Sequence, residues 1–109
     1  MMTKRIKAPI DRGATFQLRE PRFTIDMRTR LTTFDKEDVE IRLLNISSNG
    51  LFGLSSQPLQ IGSTVMIDLQ TLGTAAAQVR WALGRRFGAA FLKELKLDET
   101  LVSELTEKQ

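Results

Sequence analysis

The 109-residue chain contains no cysteine, no histidine and no tyrosine. Without cysteine there is no disulfide framework and no thiolate metal site. Without histidine the commonest general base and the commonest metal ligand are both missing. A Ser-His-Asp or Cys-His arrangement is therefore impossible. Carboxylates remain, but they cluster in apparent turns and in the C-terminal segment. No site with a tuned acid, base, nucleophile or metal can be assembled from these residues, so the chain reads as a binding domain without cofactor or metal, not an enzyme. Aromatic residues are scarce as well, at 6%, and most fall on core-facing positions. Stacking platforms for single strands need exposed aromatics. A sequence pI of about 9.7 permits a small nucleic-acid-binding barrel, but no DNA or RNA partner is expected. No window approaches the roughly 18 apolar residues of a membrane span. The basic N-terminus is not followed by the apolar stretch of a secretory signal. No membrane association is expected, and the simplest localisation is cytoplasmic.

What the chain does have is an uneven charge. Residues 1–30 carry eight cations and three anions, whereas residues 31–109 carry eight cations and ten anions. The positive field therefore sits on the leading segment, which is either a solubilising tail or a contact for an anionic partner. At 41% hydrophobic the chain can build one core, and its length suits one domain. Residues 1–17 show no period and are interrupted by Pro9 and Gly13, which marks them as a flexible basic arm. The domain proper is expected over 18–109.

From Phe23 onward the pattern alternates. Phe23, Ile25, Met27 and Leu31 share one side, and Thr24, Asp26, Arg28 and Arg30 the other, as in a half-buried strand. Val39, Ile41 and Leu43 continue the same period, and at Leu43-Leu44 and Ile46 both faces turn apolar. Further strands are predicted over 51–54, 64–69, 75–83 and 87–91, with a tight turn at Gly84-Arg85-Arg86. Six short strands with regular turn signals predict an all-β barrel or sandwich. Asp98 is a good N-cap, Glu99 suits the first turn, and Leu101, Val102 and Leu105 fall on one helical face. A single C-terminal helix of about ten residues is expected to pack that stripe on the barrel.

Two local features point to a ligand. The segment Leu18-Arg19-Glu20-Pro21-Arg22 offers guanidinium forks suited to phosphates and purine rings. The motif Asn45-x-Ser47-x-x-Gly50 offers an amide, a hydroxyl and a glycine whose freedom to take positive φ permits a sharp turn. The same motif is also what an ordinary polar turn looks like. Trp81 shares a face with Val79 and Leu83 by period, which places it in the core; the other reading is an aromatic near the rim that stacks on a base. Arg80, Arg85 and Arg86 read as a solvated edge and turn, or as a positive wall for an anion.

Taken together, Arg19 and Arg22, Asn45-Ile46-Ser47-Ser48-Asn49-Gly50-Leu51-Phe52, Leu59-Gln60-Ile61-Gly62-Ser63, and Val79-Arg80-Trp81 followed by Phe87-Gly88-Ala89-Ala90-Phe91 resemble the PilZ domain family over about residues 18–105. The resemblance implies a six-stranded antiparallel β-barrel with a flanking helix, and the bacterial second messenger cyclic di-GMP as ligand. It implies that the arm's arginines grip phosphates and guanines while the Asn-x-Ser-x-x-Gly turn reads a guanine. By position, Asn45, Ser47 and Gly50 match that turn, and Arg22 matches the second arginine of the family's Arg-x-x-x-Arg. The first falls at Leu18, and Arg19 stands one place late. Loss of one charge-assisted contact costs roughly 1.5–3 kcal/mol, about 10–150-fold in affinity. The ligand-binding set expected is Arg19, Arg22, Asn45, Ser47, Gly50 and Trp81. A downstream protein partner is also implied, and an adapter that has lost the nucleotide and works through protein contacts is the alternative.

Overall fold

The alternating runs pair into a closed antiparallel barrel. The computed structural model describes residues 21–107. Strands β1 (Arg22–Thr32), β2 (Asp38–Ser47), β3 (Gly50–Ser55), β4 (Thr64–Asp68), β5 (Thr74–Leu83) and β6 (Arg86–Phe91) are followed by a helix, α1 (Glu99–Glu107). The strand order is β1-β2-β3-β6-β5-β4, closed by pairing of β4 with β1. Closure leaves no free sheet edge. The expected all-β barrel with one C-terminal helix is thus observed, and the arm over 1–17 lies outside the described residues.

The period-two positions face inward as their chemistry requires. Met27, Leu31, Leu43, Ile67, Val79 and Phe87 are fully buried, and Ile41, Val65 and Phe91 complete the same core. The barrel end near the short 3₁₀ turn at Gln70–Leu72 is covered by α1, which packs on that turn and on β1. Asp98 caps the helix, its Oδ1 accepting from the Leu101 N–H at 2.9 Å. Val102 and Leu105 are buried. A nine-residue helix is marginal in isolation, so its stability derives from these two side chains and the cap.

Three β-bulges break the alternation and redirect side chains. They fall between Thr24 and Met27 in β1, between Leu43 and Asn45 in β2, and between Val79 and Trp81 in β5. A bulge sets two residues opposite one on the neighbouring strand and shifts every following side chain to the other face. In β2, Leu43 and Ile46 both point inward, which leaves Asn45 half-buried on the outer side. In β5 the shift overturns the core placement of Trp81. Val79 is inside, Trp81 is 42% exposed, and Leu83 is 74% exposed. Arg86 belongs to β6, so the β5–β6 turn is the two-residue pair Gly84-Arg85.

Candidate functional site

The β2–β3 corner is built by Ser47. Its hydroxyl accepts from the backbone N–H of Asn49 at 3.3 Å and of Gly50 at 3.2 Å, and donates to the Gly50 carbonyl at 3.4 Å. The residue is 1% exposed. The hydroxyl is therefore engaged inside the turn. The corner is tied to the end of β6 and the chain after it by two backbone bonds, Phe91 N–H to the Asn49 carbonyl and Leu95 N–H to the Ser48 carbonyl, both 2.8 Å.

Gly50 serves the corner differently from the sequence expectation. It does not take a positive φ, unlike Gly62, Gly73 and Gly84. Its requirement is close approach: a Cβ here would lie 2.6 Å from the Ala89 carbonyl oxygen. Only a residue without a side chain lets β3 run this near to β6.

Arg22 opens β1 directly opposite Ser47. Its Nη1 donates to the Asn45 Oδ1 at 3.1 Å. The contact uses one of the five guanidinium N–H donors and the acceptor side of the carboxamide. Arg22 is exposed, so the remaining donors face solvent beside the corner. The leading segment consequently joins the barrel at the Asn-Ser-Gly turn. Arg19, the other guanidinium expected here, lies outside the described residues.

Across β3 and β6, the ring of Phe52 stacks on that of Trp81 with centroids 5.7 Å apart and planes at 26°. Phe52, Gly88 and Trp81 occupy one cross-strand row. The indole covers Gly88 so closely that a Cβ there would collide with it. Arg22, Asn49, Gly50, Phe52, Arg80 and Trp81 border a shallow hollow of about 340 Å³, which no carboxylate of the described residues lines. Among the described residues its lining is open, partly aromatic and cationic, a combination suited to a planar base carrying phosphate.

Four of the sequence-selected residues, Arg22, Ser47, Gly50 and Trp81, thus meet at one hollow, and Asn45 touches it through Arg22. Phe52 was not singled out, although its place two residues after Gly50 puts it on the same outer side. Two larger hollows, of about 580 and 570 Å³, lie elsewhere. Neither contains a residue of the Asn-Ser-Gly motif. The first lies beside a different electrostatic arrangement: Arg42 holds Asp26 through two 2.7 Å bonds. Those bonds keep the Asp26 carboxyl below its ordinary pKa and raise that of Arg42. Among the described residues, no three His, Cys, Asp or Glu side chains group as metal ligands. No described helix is long and apolar enough to cross a membrane.

Comparison with known proteins agrees with this fold. The family model of the PilZ domain matches residues 17–108. The fold is similar to a solved structure titled PilZ domain with c-di-GMP of YcgR from Escherichia coli, at a TM-score of 0.54 and 16% identity, covering 83% of this chain and 86% of that one. No curated protein sequence gives a significant match.

Proposed function

The chain belongs to the PilZ domain family, and we propose from this premise that it is a non-catalytic bacterial signalling domain that binds cyclic di-GMP in the cytoplasm. The observation that carries the proposal is the contact of Arg22 with Asn45, which sets a guanidinium fork over the carboxamide corner beside an exposed indole. The similar PilZ domain of YcgR is titled with c-di-GMP, which supports the choice of ligand.

In this reading Arg22 binds a phosphate and the face or edge of a guanine. The Asn45 carboxamide exchanges hydrogen bonds with a guanine edge, for which its donor and acceptor are matched. Ser47 and Gly50 act through the turn: the hydroxyl fixes its shape and the glycine admits close strand packing. Trp81, backed by Phe52, offers a surface on which a purine stacks. Arg19 contributes a second fork from the leading segment. Leu18 withholds one contact, so affinity sits below that of a chain with both arginines in the family spacing.

Titration with cyclic di-GMP, followed by calorimetry and by amide shifts, tests the proposal. Shifts are expected at Arg22, Asn45, Asn49 and Trp81. Absence of both heat and shifts up to about a millimolar ligand removes it, since such weak binding is under about 4 kcal/mol. The adapter reading is favoured instead if the native chain is silent and Leu18→Arg gains binding.

A further inference from the structure

We infer that the outer face of β3, β6 and β5 is a docking surface for an acidic segment of a partner protein that carries an apolar anchor residue. Two adjacent cross-strand rows form this face. One is Phe52–Gly88–Trp81, and the next is Leu54–Arg86–Leu83. All six residues lie on the outward side of their strands. Leu83 is 74% exposed and Trp81 42%, while Phe52 and Leu54 are half-buried beside them.

Single exposed apolar residues are ordinary on a protein surface, but a contiguous group edged by cations marks an interaction site. The cations here are Arg80 and Arg86, with Arg85 at the turn. Among the described residues neither Arg80 nor Arg86 forms an ion pair. The contrast lies on β1 and β2 of the same barrel, where Arg42 is held by Asp26 and Arg30 approaches Asp38 at 4.0 Å. Among the described residues, carboxylates pair with arginines on that face and not on this one. Charge complementarity therefore calls for carboxylates, and Leu83 and Trp81 call for an apolar side chain between them.

The barrel geometry narrows the mode. β3, β6 and β5 are paired on both sides within a closed barrel, so no free edge accepts an added strand. Recognition runs through side chains. A lipid surface is the poorer fit, because these side chains stand on a curved sheet wall and, among the described residues, no amphipathic helix projects beside them to enter the headgroup layer. Phe52, Trp81 and Arg80 also border the proposed nucleotide hollow, whereas Leu83 and Arg86 lie outside it, so the inference is tested without nucleotide and at those two positions.

A random peptide library displayed on phage is selected against the full chain. Peptides combining Asp or Glu with Leu, Ile or Phe are expected to enrich. As synthetic peptides they should bind Leu83→Ser and Arg86→Gln at least about tenfold more weakly than the native chain, and Arg30→Gln as tightly as the native chain. Both diagnostic positions are solvent-exposed, and an unchanged amide spectrum away from the substitution verifies the fold. Enrichment without an acidic-apolar bias, or selected peptides that ignore both substitutions, overturns the inference. Retention on phosphatidylcholine–phosphatidylserine vesicles that is lost in Leu83→Ser, with no peptide selected, overturns it in favour of a lipid surface.

Discussion

The indole of Trp81 lies over Gly88 of the neighbouring strand, in the volume that a side chain at position 88 would need. The glycine is the seat of the indole, and the Phe52 ring is its side support. A methyl group at position 88 therefore displaces the indole, whose ring atoms are its three nearest neighbours. Gly88→Ala is expected to lose cyclic di-GMP affinity nearly as far as Trp81→Ala does. Stacking of a base on an aromatic contributes about 1–3 kcal/mol, equivalent to about 5–150-fold. Because the chain has one tryptophan, its fluorescence reports the displacement directly. Native affinity in Gly88→Ala would contradict the role given to the indole.

Arg22 and Asn45 make a coupled pair. Their hydrogen bond is exposed, so Arg22→Ala and Asn45→Ala should each change stability by less than about 1 kcal/mol. Each should lower dinucleotide affinity by about 10–150-fold through a lost charge-assisted or base-reading contact. In a double-mutant cycle the two losses are expected to be non-additive, because removing either partner frees the other from its present position. Strict additivity in calorimetry would show that the ligand does not engage them as a unit.

Ser47 belongs to the stability side of the site. Ser47→Ala strips the acceptor from two backbone N–H groups at a part-buried corner. The expected cost is about 1–3 kcal/mol, and each kcal/mol lowers the melting temperature by roughly 4–8 °C for a domain of this size. A variant that melts like the native chain yet binds no nucleotide would move Ser47 into direct ligand contact.

The helix depends on one cap and on the buried Val102 and Leu105. Asp98→Ala removes the acceptor for the Leu101 N–H and should cost about 0.5–2 kcal/mol, while Asp98→Asn retains most of it. Leu105→Ala empties a fully buried position and should cost about 2–5 kcal/mol. Thermal melts followed by circular dichroism distinguish these outcomes. An Asp98→Ala protein as stable as native would mean that packing alone holds α1.

The Asp26–Arg42 pair gives a small acid dependence. Hydrogen bonds from Arg42 depress the folded-state pKa of Asp26 below its unfolded value. A depressed carboxyl pKa adds stability above the unfolded pKa, and that contribution disappears as pH falls through the folded value. The side chains are exposed, so the effect is modest. Arg42→Gln should melt slightly lower than native at neutral pH, with the gap closing below about pH 4. A gap that widened on acidification would give the pair the opposite sign.

Much of this architecture was legible in the residues themselves. Alternation in 23–32 and 39–43 is a local property of a strand with one buried face, and the observed strands follow it. Asp98 and the Leu101, Val102 and Leu105 spacing marked α1 for equally local reasons. The Asn-Ser-Gly motif and the arginine that opens β1 marked the candidate site because their chemistry is visible in the residue types. Tertiary structure alone decided which way the decisive side chains point. The outward positions of Asn45 and Trp81 follow from bulges in β2 and β5, and a bulge is settled by pairing with a neighbouring strand far away in sequence. The role of Gly50 likewise belongs to its distance from Ala89. Period and composition act along the chain, whereas bulge position and close approach arise only once the barrel has closed.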